Sequence, residues 1–316
     1  MHAFVTKPLD WFSIQLARLS VHSGHTTDEH TAAAQALLDH PDFFCDFVVA
    51  PHDLRFGDRH EFTFSSPLTT PWSDNNVVHG RLFRCGKHWR DRPAVILLHG
   101  WNAETGYRVL FPYLARRLVR AGVNAAMIEL PYHCRRKPRG GDAIRNFLSD
   151  DPERVIEATR QSIADTRAML AWLTAQGCPR AGLWGISLGA WLGGLVACTD
   201  KRTNFAVLMT PVSRLDRVID ELDFCAPIRR RLESASVRLE RLNLVTHRPR
   251  PSPQNILIIQ SAHDLFAPSE TIEELWRSWG EPEMWRMAHG HISILMSRPI
   301  MERAINWVGQ QAGSQA

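Results

Sequence analysis

No two of the six cysteines, Cys45, Cys85, Cys134, Cys178, Cys198 and Cys225, stand in a C-x-x-C pair. That spacing fits neither a disulfide framework nor a zinc site, and it reads as reduced thiols in a cytoplasm. No stretch approaches the ~20 uninterrupted apolar residues of a membrane helix. The first ten residues lack a basic segment followed by an apolar one, so no secretory leader is expected. Internal repeats and low-complexity tracts are missing as well. Neither sign of charge dominates, since 37 basic against 33 acidic residues leave +4. The basic residues are scattered and no nucleic-acid module accompanies them, which argues against a nucleic-acid partner. The expectation is a soluble, cytoplasmic protein without a membrane span, acting on a small molecule. Its oligomeric state cannot be read from the chain.

What remains is a chain of 316 residues, 44% hydrophobic, able to bury a sizeable core. Residues 1–40 read as a polar helical extension with apolar clusters at Trp11–Ile14 and Ala32–Leu38. Between about residues 42 and 86, short runs (Phe47–Ala50, Phe62–Phe64, Val77–Phe83) separated by turn residues resemble antiparallel strands. From Pro93 the rhythm changes. Val95–Leu98, Ala125–Leu130, Leu183–Ile186, Ala206–Met209, Ile256–Ile259 and Met284–Met287 read as strands. Helices intervene at Pro112–Ala121, from Pro152 with Asp151 as N-cap, and at Ser187–Ala197; Pro299–Gln310 closes the chain. This alternation predicts a mostly parallel sheet of eight strands with helices on both faces, in a domain spanning residues 41–316. In such sheets ligands sit beyond the carboxyl ends of the strands. The interval 212–253 breaks the rhythm, with nine arginines against six acids. It is either a small helical insertion forming a lid or one crossover helix with a solvated basic loop.

Gly185-Ile186-Ser187-Leu188-Gly189 is a G-x-S-x-G match between a strand and a small-residue helix. A strand that turns abruptly into a helix strains its central residue, and side chains two positions either side would collide, so glycine is required there. The match alone arises by chance in roughly one chain in ten of this size. Its weight comes from its companions. A serine needs a base, and the base an orienting carboxylate, in the chain order Ser, Asp, His. Asp264 follows the Ile256–Ile259 strand and His291 follows Met284–Met287. His289 and His263 are rival bases, and Asp216 and Asp220 rival acids; Gly290 before His291 favours the latter by letting the loop turn inward. The tetrahedral intermediate of acyl transfer needs N–H donors, and Leu188 and Trp101, the latter just after His99-Gly100, stand where these are expected. Alternatively, His99-Gly100 merely ends a strand and Ser187 sits inert in a tight turn.

Together these residues, from about Arg92 to Gln310, resemble the α/β-hydrolase superfamily, whose sheet begins with antiparallel strands. Residues Glu129–Arg136, reading Glu-Leu-Pro-Tyr-His-Cys-Arg-Arg, and Phe147-Leu-Ser-Asp150 are similar to the group that includes the abhydrolase-domain-18 proteins. The resemblance implies Ser187, Asp264 and His291 as a catalytic triad, with no metal or organic cofactor. The loop His99-Gly-Trp-Asn102 departs from the triple-glycine form of many lipases, which puts activity on tertiary-alcohol esters in doubt. The expected function is hydrolysis of carboxylic esters through an acyl-enzyme; a thioesterase, an amidase or peptidase, and a non-catalytic binding protein of the same fold stay open, as does a hydrolase built on Cys134. Tyr132, His133 and Arg135, just past a strand's carboxyl end, are candidate substrate-binding residues, with a solvated loop as the alternative.

Overall fold

A computed structural model describes residues 3–20, 28–102, 104–139, 147–148 and 151–313. Its centre is a nine-stranded sheet ordered β1-β2-β3-β5-β4-β6-β7-β8-β9. The strands are β1 (Arg55–Phe56), β2 (Glu61–Ser65), β3 (Val77–Phe83), β4 (Ala94–Leu98), β5 (Asn124–Ile128), β6 (Ala181–Ile186), β7 (Thr203–Met209), β8 (Ile256–Ser261) and β9 (Glu283–Met287). The first four in spatial sequence pair antiparallel, and from β5 onward every pairing is parallel. The helices are α1 (Ala3–Ser20), α2 (Asp28–Asp39), α3 (Glu104–Arg120), α4 (Pro152–Ala175), α5 (Leu188–Thr199), α6 (Leu215–Glu221), α7 (Ala226–Ala235), α8 (Ser269–Ser278) and α9 (Arg298–Gly313).

The central strands are apolar throughout because both faces are covered. Ala94–Leu98 and Asn124–Ile128 are buried at every position. Side chains alternate between two cores. Val95, Leu97, Met127, Trp184 and Val207 meet α3 and α9 on one side. Ile96, Leu98, Ile128, Leu183 and Leu208 meet α4 and α5 on the other. Asp151 caps α4 as its sequence predicts, accepting the N–H groups of Glu153 and Arg154 at 3.1 and 3.4 Å. The outer side of α4 is also buried, because α2 packs upon it. None of the described helices is long and apolar enough to cross a membrane.

Three expectations need correction. The sheet has nine strands, since the two-residue β1 adds to its antiparallel edge. Residues 47–50 form no strand and lead into that edge as an extended turn. Helix α3 begins at Glu104, eight residues before Pro112, which therefore lies inside it. The helix carries the internal proline because Tyr107 and Phe111 are buried against the sheet, and packing outweighs the lost hydrogen bond. The 212–253 interval is helical, with α6, α7 and short 3₁₀ turns. In the Phe147–Asp150 motif, Ser149 and Asp150 lie outside the described residues.

Candidate active site

Four successive strands of the sheet's middle end in strained backbone. Asn102 follows β4, Tyr132 and Cys134 follow β5, Ser187 follows β6 and Thr210 follows β7, all with positive φ. Strain at non-glycine residues costs energy and concentrates where a fold must hold a side chain in an unusual direction. At Ser187 the cause is visible. Its N–H still makes a sheet bond to the Met209 carbonyl at 2.9 Å, after which the backbone turns to φ 54°, ψ −116° and enters α5 at Leu188. The flanking glycines are sterically required. A methyl on Gly185 would lie 2.1 Å from the Gly189 carbonyl oxygen, and one on Gly189 would lie 2.1 Å from that of Leu98.

The structure brings Ser187, His291 and Asp264 into one hydrogen-bonded line. His291 Nε2 accepts from Ser187 Oγ at 2.8 Å, and Nδ1 donates to Asp264 Oδ2 at 2.7 Å. The other Asp264 oxygen accepts the N–H groups of Phe266 and Ala267, both at 2.8 Å. The carboxylate is thus held by its own turn and fully shielded from solvent. Burial alone would depress the His291 pKa, but the Asp264 charge and hydrogen bond, with a further contribution from Asp10, hold it above the ordinary imidazole value.

Ser187 and His291 open into a cavity of about 340 Å³. Its walls include Trp101, Leu110, Phe111, Phe266, Ile292 and Leu295, and among the described residues His291 is the one ionisable side chain that lines it. Trp101 stacks on Phe224 with centroids 5.9 Å apart, and Phe266 lies 4.8 Å from the His291 ring. Phe224 comes from the 212–253 interval, so that interval packs on Trp101 and Phe266, two residues of the cavity wall. Leu188, the first residue of α5, has an N–H without an acceptor inside the helix, beside the Ser187 hydroxyl.

Other candidates fall elsewhere. Tyr132, His133 and Arg135 do not line the cavity that holds Ser187. Tyr132 and Cys134, on either side of His133, both have positive φ. The Tyr132 side chain is buried in the core, and Arg135 faces away to pair with Glu129 and Glu61. His133 is buried, and burial drives its pKa well below the ordinary value. Its Nδ1 donates to the Pro131 carbonyl at 2.8 Å, which leaves Nε2 to accept the Asn102 N–H at 3.3 Å. His99 is arranged alike. Burial lowers its pKa to about 4, Nδ1 donates to Gly100 O at 2.8 Å, and Nε2 accepts the Leu130 N–H at 3.0 Å. Two neutral imidazoles therefore tie the loop after β4, which carries Trp101, to the loop after β5. His133 thus braces a loop where its position suggests substrate binding, and His99, which has no role legible in the sequence, does the same. The signal was their common position just past adjacent strands.

His289 contacts Ser293 Oγ at 3.4 Å and makes no bond to Ser187, and Asp216 is paired with Arg214. Burial pushes the Cys134 thiol up to about 12, which keeps it protonated and unreactive at neutral pH. Among the described residues, no group of three His, Cys, Asp or Glu side chains is arranged to hold a metal ion.

A strained serine lies between a parallel strand and a buried helix, with Asp264 and His291 on the loops after β8 and β9. The chain has the α/β-hydrolase fold. Residues 61–214 match the family model described as alpha/beta hydrolase domain containing 18, a span that includes Ser187 and stops short of Asp264 and His291. Two curated relatives in Mycobacterium tuberculosis, the uncharacterized proteins MT2702 and Rv2627c, are each 27% identical over 278 residues. The aligned region is 85% of this chain and 64% of theirs, so the chain spans somewhat less than two thirds of the length of these relatives. Among solved structures, similar folds occur in an acetyl xylan esterase from a Paenibacillus (TM-score 0.56, 14% identity, 94% of this chain and 99% of that one). A cold-adapted esterase from an Arctic intertidal metagenomic library has TM-score 0.51 at 20% identity, covering 83% of this chain and 98% of its own. An α/β serine hydrolase without lid from Xanthomonas campestris has TM-score 0.53 at 14% identity, covering 85% and 99%.

Proposed function

We propose that this protein is a serine hydrolase that cleaves carboxylic esters through an acyl-enzyme. The observation that carries the reading is the continuous relay from Ser187 Oγ through His291 to Asp264, opening into a preformed apolar cavity. In the first step Ser187 Oγ attacks the ester carbonyl while its proton passes to His291 Nε2. Asp264 keeps the proton of the neutral ring on Nδ1 and stabilises the imidazolium that forms. The backbone N–H groups of Leu188 and Trp101 meet the oxyanion, and the two buried histidines hold the Trp101 loop at the required distance. His291 then protonates the leaving alkoxide, and water, deprotonated by the same nitrogen, releases the acid.

The cavity argues for the kind of acyl group. Its aliphatic and aromatic walls would leave a charged acyl chain unpaired and desolvated. A volume of about 340 Å³ lies near the lower end of ligand-sized pockets. The substrate is therefore an ester with a modest, uncharged, apolar acyl group. Residues 212–253 act as a cap at the cavity's edge, with Phe224 as the contact.

A fluorophosphonate probe should modify the protein at Ser187, with mass spectrometry of the digest locating the adduct. Ser187→Ala should abolish labelling and reduce ester turnover by several orders of magnitude while the fold stays intact. Undiminished hydrolysis by the purified variant would refute the assignment. A panel of ester, thioester and amide substrates with matched acyl groups then ranks the leaving groups.

A further inference from the structure

Helix α1 reaches the cavity from the far end of the chain. Its Thr6 and Asp10 are fully buried, Ser13 one turn on contributes to the cavity wall, and Lys7, Trp11 and Phe12 on the other side are exposed. Among the described residues, Asp10 forms no ion pair with an arginine or lysine. Its carboxylate instead accepts three backbone N–H groups from two loops. Oδ2 takes the N–H of His291 at 2.7 Å and that of Leu265 at 3.2 Å, and Oδ1 takes the N–H of Ile292 at 3.0 Å. One oxygen thus joins the residue beside the acid to the base itself. Gly290 makes room for this, since a methyl there would lie 2.9 Å from both carboxylate oxygens.

We infer that Asp10 is a positioning residue for the triad: by pinning the loops after β8 and β9 to one carboxylate, it makes docking of α1 a condition for His291 to stand between Ser187 and Asp264. The inference rests on the serine-hydrolase reading for its kinetic consequences, though not for the clamp. The physical case is one of cost. Burial raises the Asp10 pKa, so the site opposes its charge, while the two N–H bonds from the His291 loop and the nearby imidazole favour it. A carboxylate is an expensive acceptor to bury unless its hydrogen bonds fix something. Here they fix the backbone at the residue that must hold two hydrogen bonds at once. Without them, the two loops stay joined only through the His263 N–H to the His289 carbonyl at 2.9 Å and the His291–Asp264 bond itself, and small displacements at a reacting atom are costly in rate.

The test uses the full chain with Asp10→Asn, Asp10→Ala and Gly290→Ala, and Lys7→Ala on the exposed side of α1 as control. Hydrolysis of p-nitrophenyl butyrate should show kcat lowered about 100-fold in Asp10→Ala with KM little changed. Asp10→Asn keeps an acceptor oxygen and should recover part of the loss. Gly290→Ala, which expels the carboxylate without altering it, should reproduce the alanine phenotype. Hydrogen exchange at the amides of Leu265, His291 and Ile292 should accelerate in Asp10→Ala and Gly290→Ala, with thermal melts showing that the rest of the protein stays folded. Wild-type kcat together with unchanged protection of the three amides in Asp10→Ala would overturn the proposal. So would a uniform rise in exchange across the molecule, which is the mark of a merely structural role. If wild-type protein neither hydrolyses esters nor takes the fluorophosphonate probe, the serine-hydrolase reading fails, and the three amides still decide whether the clamp exists.

Discussion

Gly189→Ala measures how closely the two proposed oxyanion donors must be held. The added methyl would sit 2.1 Å from the Leu98 carbonyl oxygen, 2.4 Å from its carbon and 2.6 Å from the His99 carbonyl oxygen. All three are backbone atoms, and none can rotate away. Ordinary contact begins at 3.4 Å, so α5 must retreat from the end of β4 by roughly 1 Å. Leu188 moves with α5 and Trp101 stays with the β4 loop, which spreads the oxyanion donors by a similar amount. Overpacking of this kind costs about 1–3 kcal/mol of stability, and a misplacement of that size costs about 100-fold in rate, or about 2.7 kcal/mol of activation free energy. The assay is kcat on a chromogenic ester beside a thermal melt. Gly193→Ala is the internal comparison one turn along the same helix, where the methyl meets the end of the Leu98 side chain at 3.3 Å and Leu183 Cβ at 3.9 Å, within ordinary contact. It should be close to neutral, because the side chain can yield and alanine is the better helix former. If Gly189→Ala matched Gly193→Ala in both rate and stability, the packing argument for the oxyanion hole would be wrong.

Asp264→Asn should lower kcat by about 10³–10⁴-fold at neutral pH, since an amide can stabilise neither the correct tautomer nor the imidazolium. In the wild type the acid limb of the kcat/KM profile should lie above the ordinary imidazole value of about 6.5, because His291 works as base only when neutral and its pKa is raised. The same shift has a stability consequence. A pKa higher in the folded than in the unfolded state stabilises fully below the unfolded value, and that contribution is lost as pH rises through the folded value. The difference in urea midpoint between wild type and Asp264→Asn should therefore narrow as pH is raised through that window. Arg136→Met should destabilise the protein by about 3–5 kcal/mol in denaturant titrations, because it strands the buried Asp165 carboxylate now paired at 2.7 Å.

Local signals made much of this molecule legible. The apolar runs at 95–98, 183–186 and 256–259 mark buried parallel strands because only a strand covered on both faces is apolar at successive positions. Asp151 before Pro152 announces a helix start through chemistry confined to a few neighbouring residues. Pro112 suggests a helix start that the fold does not adopt, because proline's local preference yields when Tyr107 and Phe111 are buried. Tyr132, His133 and Arg135 stand at the right end of a strand, yet distance along the chain says nothing of direction. Tyr132 and His133 are buried and Arg135 pairs with Glu129 and Glu61, all away from the cavity.

The amino-acid order by itself determined the succession of strands and helices, the strained turn at Ser187 and the chain order of serine, acid and base, since each depends on residues near in sequence. Only the tertiary structure decided that His99 and His133 brace the neighbouring loops, and that Asp10 joins the loops bearing Asp264 and His291 from more than 250 positions away. A hydrogen bond acts over about 3 Å and leaves no periodicity in the chain when its partners lie on different elements. Such contacts exist only once the sheet has brought its loops to a common edge.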